Sequence, residues 1–399
     1  MYTVEDVLTF VEEEDVKFVR LAFCDINGTQ KNIAIMPHEL ERAFTKGIPF
    51  ASSNIDGFKE YSKSSLYLHP DPSTLTILPW RPTNGRVVRM FCNVTYPDGT
   101  PFEADGRSIL QKAIAYAEDN GIFCTFGNES EFYLFKTDED GVPTKIPYDY
   151  AGYLDIAPED KGENVRREIC FTLSDMGITP VSSHHEAGPG QNQVDFKYSD
   201  PLTAAENIIT FISVVKTIAT RYGLYADFSP KPLDNKSGNA MNINIAVTSK
   251  DGSDYIKPFM AGVLDHIEEI TAFMNPTEDS YKRFGEKLAP LYITWSSGNH
   301  SQLIKVPETE SERRHIKLRS PDSGANPYIA FALLIYAGID GIKRNLDVGE
   351  PTNEELSRFD SDTQKTYKKL PLTLMEATLK AKSSEFVKNI LGEEYLSLI

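Results

Sequence analysis

Residues 183–196 read SHHEAGPGQNQVDF and combine two histidines, one carboxylate and two glycines with an alternating apolar tail. A glycine-containing loop followed by such alternation is typical of a loop that leads into a strand. Because successive strand residues point to opposite faces, Val194 and Phe196 can face a core while Gln193 and Asp195 face the other side. The stretch therefore predicts a strand that lines a polar site, with Glu186 as a candidate metal ligand.

Length and charge narrow the class of protein. A chain of 399 residues suggests two domains, and a formal net charge of −17 argues against sequence-independent binding to nucleic acid or to anionic membranes. Four scattered cysteines without a C-x-x-C motif indicate reduced core thiols. The N-terminus has no basic and apolar leader pattern, and no uncharged apolar stretch of about 18 residues occurs, so we expect a cytoplasmic protein.

The first hundred residues predict a small α+β domain. Thr3 is a plausible N-cap for a helix that carries apolar residues at helical spacing. A strand then leads into a turn with the hairpin signal Asn27-Gly28 and a return strand. Hairpins covered by a helix give such a domain over residues 1–100.

The rest of the chain predicts an antiparallel-rich sheet with helices on its outer side. We expect a helix over residues 108–120 capped by Ser108, and then a strand over residues 123–135. Glu129 and Glu131 share one face of this strand, and two carboxylates so close are costly unless a cation or hydrogen bonds compensate. The alternative is a solvated strand face. Fold class is therefore α+β rather than a doubly wound βαβ fold.

Five stretches carry a resemblance to a known family. They are residues 50–58, 128–132, 184–196, 275–283 and 319–328, which read FASSNIDGF, NESEF, HHEAGPGQNQVDF, NPTEDSYKR and RSPDSGANPY. Together they span nearly the whole chain and resemble the glutamine synthetases, type I in particular. The resemblance implies a β-grasp-like domain over residues 1–100, a catalytic-type domain over residues 101–399, and rings whose active sites form between subunits.

The family's reaction phosphorylates the γ-carboxylate of glutamate with ATP and lets ammonia displace the phosphate. By resemblance, one metal site matches Glu131, Glu186 and Gln193, and the second matches Glu129, Asn242 and Lys317. Glutamine in place of glutamate weakens the first site, whereas Lys317 brings a positive charge to the second. We therefore expect Mg²⁺ at no more than one site. We also expect the Lys317 ammonium to pair with Glu129, the alternative being an ordinary solvated lysine.

At other positions that match the family's site, this chain either has a different residue or keeps the family's residue. Ala51 and Leu288 stand where the family has proton-accepting acids. His300, Lys305 and His315 stand where it has arginines around the nucleotide and the transferred phosphoryl group, so ATP binding is expected to be weakened. The positions that match glutamate binding are retained: Glu131, Gly238, Arg283 and Arg319. Among the predicted catalytic residues are therefore Arg319, Lys305 and His300, while Lys305 and His315 are assigned to the nucleotide. Alternatively, Arg283 and Arg319 simply pair with local acids.

These substitutions lead us to expect that ammonia ligation is lost or strongly impaired. The chain would keep a pocket for glutamate or a similar small amino acid and a role in ring assembly, with an active paralogue as a candidate partner. Type I enzymes continue past the stretch matching residues 371–377 into a segment that joins stacked rings, so a hexamer is expected over a dodecamer. The alternatives are an active ATP-dependent glutamate–ammonia or glutamate–amine ligase with one metal, and a purely structural ring or filament component.

Overall fold

A computed structural model describes residues 2–61, 65–81, 85–286, 288–307 and 314–399, and these residues fold around two β-sheets. The smaller sheet lies within the first hundred residues. The helices of this part are α1 (Val4–Glu13), α2 (Leu40–Lys46) and α3 (Phe58–Tyr61). Its strands are β1 (Val16–Cys24), β2 (Gln30–Ile35), β3 (Ile48–Ala51), β4 (Ser65–Pro70), β5 (Thr76–Ile77) and β6 (Arg86–Thr95).

Within the described residues, the smaller sheet has the strand order β2-β1-β6-β4-β3, with β5 on β6. Strands β1 and β6 run parallel, and β1 and β2 form an antiparallel hairpin. Gly28 adopts a φ of 77° in the turn of this hairpin, which is the left-handed conformation that the Asn-Gly signal predicts. The predicted cap at Thr3 is also confirmed, since Thr3 and Asp6 form a reciprocal capping box at the start of α1.

The larger sheet lies in the rest of the chain. Its strands are β7 (Ile122–Thr137), β8 (Pro143–Pro147), β9 (Pro180–His185), β10 (Gln191–Phe196), β11 (Leu224–Asp227), β12 (Met241–Ser249), β13 (Trp295–Ser296), β14 (Ile304–Lys305) and β15 (His315–Leu318). The helices are α4 (Gly106–Asp119), α5 (Glu163–Asp175), α6 (Pro201–Arg221), α7 (Ile256–Met274), α8 (Glu278–Tyr281), α9 (Pro327–Lys343), α10 (Ser361–Gln364), α11 (Leu374–Ser383) and α12 (Glu385–Leu396). The predicted α+β architecture, an antiparallel-rich sheet with outer helices, is confirmed.

One face of the larger sheet is apolar and lies under the helices. The described strands follow the order β13-β14-β15-β12-β7-β10-β9, with β8 and β11 also paired to β7. Phe126 of β7 stacks on Phe331 of α9 at 4.2 Å between ring centroids, and Phe132 meets Phe211 of α6 edge to face. All four rings are fully buried, and burial of each stabilises the fold by about 1.5–3 kcal/mol. Because side chains alternate along β7, its odd-numbered residues are left for the opposite face.

Helices α7 and α9 pack backbone to backbone behind this sheet. A Cβ atom on Gly262 of α7 would lie 2.1 Å from the carbonyl oxygen of Ala337 in α9, so only glycine fits there. Helix α6 is long and apolar enough to span a membrane by length and composition, but 61% of its apolar window is buried within the protein. The same burial is typical of a core helix.

The start of α4 differs from the prediction. The N-cap is Asp105, whose carboxylate accepts hydrogen bonds from the backbone N–H groups of Arg107 and Ser108. Ser108 lies inside the helix and donates its hydroxyl proton to the same carboxylate at 2.7 Å. The prediction of Ser108 as the cap is therefore wrong, because a stronger anionic acceptor stands three residues earlier.

Three distant parts of the chain meet at one backbone carbonyl in the β1–β2 turn. The carbonyl oxygen of Ile26 accepts a hydrogen bond from Nδ2 of Asn326 at 3.1 Å and another from the hydroxyl of Tyr395 at 3.2 Å. Asn326 caps α9 and Tyr395 belongs to α12. The turn of the smaller sheet is thereby fixed to the helical layer of the larger one.

Candidate active site

Polar side chains gather on the face of the larger sheet that faces away from the helices. The strand register places Gln193 beside Glu131, Asn242 beside Glu129, and Lys305 beside Lys317. Paired residues of neighbouring strands share a face, so these groups lie together. The face of β10, β7, β12, β15 and β14 that carries them is called the polar face below.

Glu131 and Glu186 form an acid pair on the polar face. Glu131 is half-buried on β7, and its Oε2 accepts hydrogen bonds from the backbone N–H of Ala240 at 2.9 Å and from Nε2 of Gln191 at 3.2 Å. Burial and the nearby Glu186 carboxylate raise the pKa of Glu131 to about 8, against the opposing effect of two arginines. Glu186 follows β9, and its Oε1 forms a hydrogen bond with Nε2 of His184 at 2.8 Å. Both carboxylates would therefore gain from a shared cation.

Gln193 completes this group. Its Nε2 donates to Oδ1 of Asp195 at 2.8 Å, so its carbonyl oxygen is the atom that remains for a cation. Two carboxylates and one amide oxygen are a set of ligands that Mg²⁺ accepts. The residues at the predicted first metal site therefore fit one divalent cation, with one negative charge fewer than three glutamates would supply.

A buried histidine–aspartate pair holds the loop that carries Glu186. His185 contacts Oδ1 of Asp149 through Nε2 at 2.8 Å and the carbonyl of Glu186 through Nδ1 at 2.6 Å. The same carboxylate oxygen of Asp149 accepts the N–H of Gly190 at 3.0 Å. His185 and Asp149 also lie close to Asp160, but Asp160 is paired with Arg166 at 2.6 Å. The hydrogen bonds of this cluster are those of a structural support for Glu186.

Glu129 is saturated by protein donors. Its carboxylate forms an ion pair with the Lys317 ammonium and accepts hydrogen bonds from Nδ2 of Asn242 at 3.3 Å and of Asn244 at 3.2 Å. Burial opposes ionisation, yet Lys317 and the two amides hold the pKa of Glu129 below its usual value. The predicted contact between Lys317 and Glu129 is present. A second divalent cation does not fit this arrangement, because Lys317 has no lone pair and brings a like charge to the position.

Basic groups gather around Lys317. They are His300, Lys305 and Arg319, and together with Lys317 they are called the cation cluster below. Nζ of Lys305 lies 2.8 Å from Nε2 of His300. Burial and the neighbouring Lys317 and Arg319 lower the pKa of Lys305, and burial and Lys305 lower that of His300. Facing like charges destabilise a sheet, so the cation cluster is suited to an anion.

His315 lies two residues before Lys317 on β15. Its ring meets the ring of Tyr198 edge to face at 5.6 Å between centroids. His315 therefore lies next to the cation cluster at the start of β15. There β15 pairs with the second half of β12.

The two arginines assigned to substrate binding differ in their partners. Arg283 is buried, donates to the carbonyl of Ser320 at 3.2 Å and lies 3.6 Å from Oδ2 of Asp322, so the alternative of a local acid partner applies to it. Arg319 donates to the backbone carbonyl of Leu288 at 3.1 Å, while its Nε is buried without a partner among the residues that the structure describes. Arg319 is therefore the better placed to bind a carboxylate.

Gly238 is required by the packing of Arg283. A Cβ atom on Gly238 would lie 2.7 Å from Cγ of Arg283 and 2.6 Å from the carbonyl of Pro230. Its own carbonyl accepts a hydrogen bond from Nε2 of Gln191, the side chain that also contacts Glu131. Gly238 thus links the arginine to the acid pair through the backbone.

Ala51 and Leu288 offer no proton acceptor in their side chains. Ala51 is exposed at the end of β3 in the smaller sheet, whereas the larger sheet carries the acid pair. The side chain of Leu288 is 54% exposed, and its carbonyl is the atom that contacts Arg319. Only Leu288 lies beside the cation cluster within one chain.

Several supporting residues were not predicted. They are Asn244, Gln191 and Asp322, each of which contacts a predicted site residue, and Asp149, which contacts His185 beside Glu186. Asn244 and Gln191 lie two residues from a predicted residue on the same strand, so period-two spacing could have found them, as it placed Asp195 beside Gln193. Asp149 and Asp322 come from loops, and spacing along a strand gives no signal for them.

The family described as the glutamine synthetase catalytic domain matches residues 103–398. The chain belongs to the glutamine synthetase family. The glutamine synthetase beta-Grasp domain matches residues 15–97. The chain is 44% identical to a glutamine synthetase of Methanosarcina mazei over 99% of its length and 92% of that relative, and 43% identical to one of Clostridium saccharobutylicum over 98% and 92%.

Solved structures agree with this glutamine synthetase fold. An ADP complex of GmaS superimposes with a TM-score of 0.88 at 26% identity and covers 98% of this chain and 94% of that one. Glutamine synthetase of Plasmodium falciparum gives a TM-score of 0.88 at 22% identity, with 100% of this chain and 94% of that one covered, and shows the shared fold. Members of the family use ATP and a divalent metal.

The expectation of lost or strongly impaired ammonia ligation is wrong. Relatives named glutamine synthetase, 42–44% identical over 98–99% of this chain, favour an active enzyme. The physical reason lies in the polar face, where the acid pair remains and Lys317 supplies a fixed positive charge beside Glu129. The sequence indicated this ion pair, but we interpreted it as the loss of a metal site.

Proposed function

We propose that the protein is an active ATP-dependent ligase that joins ammonia or a small amine to the γ-carboxylate of glutamate or a close analogue. The observation that carries this proposal is the acid pair Glu131–Glu186 set on the same face as the cation cluster. Carboxylates for one metal and cations for phosphate groups are what phosphoryl transfer requires. The named relatives support the same reaction.

In this proposal one divalent metal is held by Glu131, Glu186 and the carbonyl oxygen of Gln193. When bound, the metal supplies positive charge that polarises phosphoryl oxygens. The second metal of the family has no counterpart here. Lys317 instead keeps a permanent cation next to Glu129, and its neighbour Lys305 faces the same region.

ATP and glutamate are proposed to meet on the polar face. Lys305 and Lys317 bind phosphate oxygens as point charges, and His300 orients Lys305 through their 2.8 Å contact. Arg319 binds a carboxylate of glutamate through donors that include Nε, which is buried without a protein partner in the described part of the chain. Arg283 fixes the backbone around Ser320 behind it. The ADP complex of a relative at 26% identity supports nucleotide binding in this fold.

The protonation state in which the amine enters follows from two side chains that cannot accept a proton. Neither Ala51 nor Leu288 can take a proton from an ammonium ion, so the amine enters already deprotonated or loses its proton to another base. The reaction rate should therefore rise with the fraction of neutral amine as pH increases.

The test is ADP release with Mg²⁺, ATP, glutamate and either ammonium chloride or methylamine, with product identified by mass spectrometry. Steady turnover that requires glutamate and an amine is the expected result. Calorimetric titration of Mg²⁺ should give one site per chain. Absence of amine-dependent turnover across pH 6–9, or two equivalent metal sites, would contradict the proposal.

We also propose that the chain assembles into homo-oligomeric rings in the cytoplasm. Ala51 lies on a different sheet from the acid pair, which fits a site completed by a neighbouring subunit. Mass photometry of the purified protein tests this. A monomer that is fully active would contradict it.

A further inference from the structure

A small pocket lies between the smaller sheet and helix α6, and none of the polar-face residues line it. It measures about 30 Å³. A buried water needs roughly 10–15 Å³, so the pocket has room for about two waters or for one small oxyanion. Its walls come from β1, β2 and β6 on one side and from Thr210 and Ser213 of α6 on the other.

Two arginines face this pocket from neighbouring strands. Arg20 of β1 and Arg89 of β6 are register partners in the parallel pair, so their side chains leave the same face of the sheet. Both line the pocket. Like charges at facing positions of a sheet are destabilising unless something compensates them. Arg81 adds a third positive charge, since burial and its field lower the pKa of Arg20.

Arg89 has donor capacity that the protein leaves unused. It is only 8% exposed, donates from Nη1 to the hydroxyl of Thr210 at 2.7 Å and lies over the ring of Phe91 at 4.0 Å. Its Nε is buried without a hydrogen-bond partner among the described residues. Burial lowers the pKa of Arg89 to about 10, and Glu206, which opposes this effect, is itself bonded to Arg107 at 2.8 Å.

Further donors surround the same space. The side-chain amides of Gln30 and Asn32, the indole of Trp80 and the hydroxyl of Ser213 line the pocket. No carboxylate is among its lining residues in the described part of the chain, although the chain as a whole carries a charge of −17. Donors and cations without acids are the composition of an anion site.

We propose that this pocket binds a small anion with a carboxylate or phosphate group, held between Arg20 and Arg89. The ligand lies at the junction of the smaller sheet and α6. Phe211 of α6 packs on Phe132 of β7, the strand that also carries Glu129 and Glu131. Anion binding therefore stabilises the contact between the two sheets directly behind the polar face.

The test is calorimetric titration of the full chain with sodium phosphate and, separately, with sodium formate at constant ionic strength. Arg20→Gln is the test variant because Arg20 is only half-buried and its replacement should preserve folding. Arg42→Gln is the matched control, since Arg42 is an exposed arginine of the same region paired with Glu39. Lys305→Met reports anion binding at the cation cluster.

The expected result is a saturable binding site whose affinity weakens at least tenfold in Arg20→Gln and is unchanged in Arg42→Gln and Lys305→Met. Binding of phosphate alone or of formate alone also supports the site and identifies the chemistry of its ligand. Absence of saturable binding to either anion would overturn the proposal. So would full affinity in Arg20→Gln, or loss of all binding in Lys305→Met.

Discussion

Glu129 and Glu131 lie two residues apart on the same face of β7, yet their surroundings drive their ionisation in opposite directions. Burial and Glu186 raise the pKa of Glu131, whereas burial at Glu129 is outweighed by Lys317, Asn242 and Asn244, which lower it. Glu131 is poised to share a cation with Glu186, and Glu129 already has one from the protein. The capacity of a carboxylate to bind a metal thus depends on what its neighbours already donate.

The largest effect is expected where the acid pair is broken. Glu186→Gln removes one of two anionic ligands, so Mg²⁺ affinity and amine-dependent turnover should both fall by roughly 100-fold. Calorimetry and ADP release measure these quantities. Glu118→Gln, an exposed acid on α4, serves as the control and should behave as the unmodified protein. Unchanged Mg²⁺ affinity in Glu186→Gln would show that the acid pair does not bind the metal.

The next effect tests the other carboxylate. Lys317→Met leaves Glu129 buried without its counter-ion, which should cost about 2 kcal/mol of unfolding free energy, since both side chains keep some exposure to solvent. Glu129→Gln in the Lys317→Met background should recover most of that loss. Urea unfolding of the two single variants and the double variant gives the coupling energy. A coupling near zero would contradict the ion pair.

The sign of the pH dependence at Glu129 follows from its lowered pKa. Stabilisation by the ion pair is complete above the unfolded-state pKa of about 4.3 and is lost as pH falls through the lower folded-state value. Lys317→Met should therefore narrow the stability difference between pH 6 and pH 3 relative to the unmodified protein.

Glu131 should show the opposite dependence. Its folded-state pKa is raised, so in the metal-free protein its contribution to stability falls as pH rises from about 4.3 to about 8. A metal requires the ionised form, so Mg²⁺ binding at pH 7 should release close to one proton, and affinity should rise up to about tenfold per pH unit below pH 8. Calorimetry in buffers of different ionisation enthalpy measures the proton. If Mg²⁺ binding to the unmodified protein released no proton, the raised pKa of Glu131 would be contradicted.

The smallest effect concerns Gln193. Gln193→Glu adds a negative ligand but places it against Asp195, which now accepts a hydrogen bond from the amide. The single change should therefore alter Mg²⁺ affinity little, whereas Gln193→Glu with Asp195→Asn should tighten it by about fivefold. Equal affinities in the single and double variants would show that Asp195 does not restrain the site.

Strand periodicity was sufficient to predict much of the polar face. Alternation placed Glu129 with Glu131 and Gln193 with Asp195. It needed only the direction of side chains along a strand. The contact between Lys317 and Glu129 was predicted from the family resemblance, which matched both residues to one metal site. The cap at Thr3 was equally local.

Other features could not be obtained in this way. Asp149 supports the Glu186 loop from 36 positions upstream of His185, and Asp322 meets Arg283 across a separate loop, so their roles depend on tertiary packing. Activity was misjudged for a related reason. The Lys317–Glu129 ion pair was predicted but was interpreted as the loss of a metal site, and the amides of Asn242 and Asn244 that act with Lys317 on Glu129 were not foreseen.

The carbonyl of Ile26 has a consequence for synthesis of the protein. Its two donors follow it by 300 and 369 positions in the chain. At a translation rate of about 5–20 residues per second, the last of these bonds must wait roughly 20–70 s after the turn has left the ribosome. During that interval the hairpin depends on its own sheet, and the nascent smaller domain exposes the surface that α9 and α12 later cover.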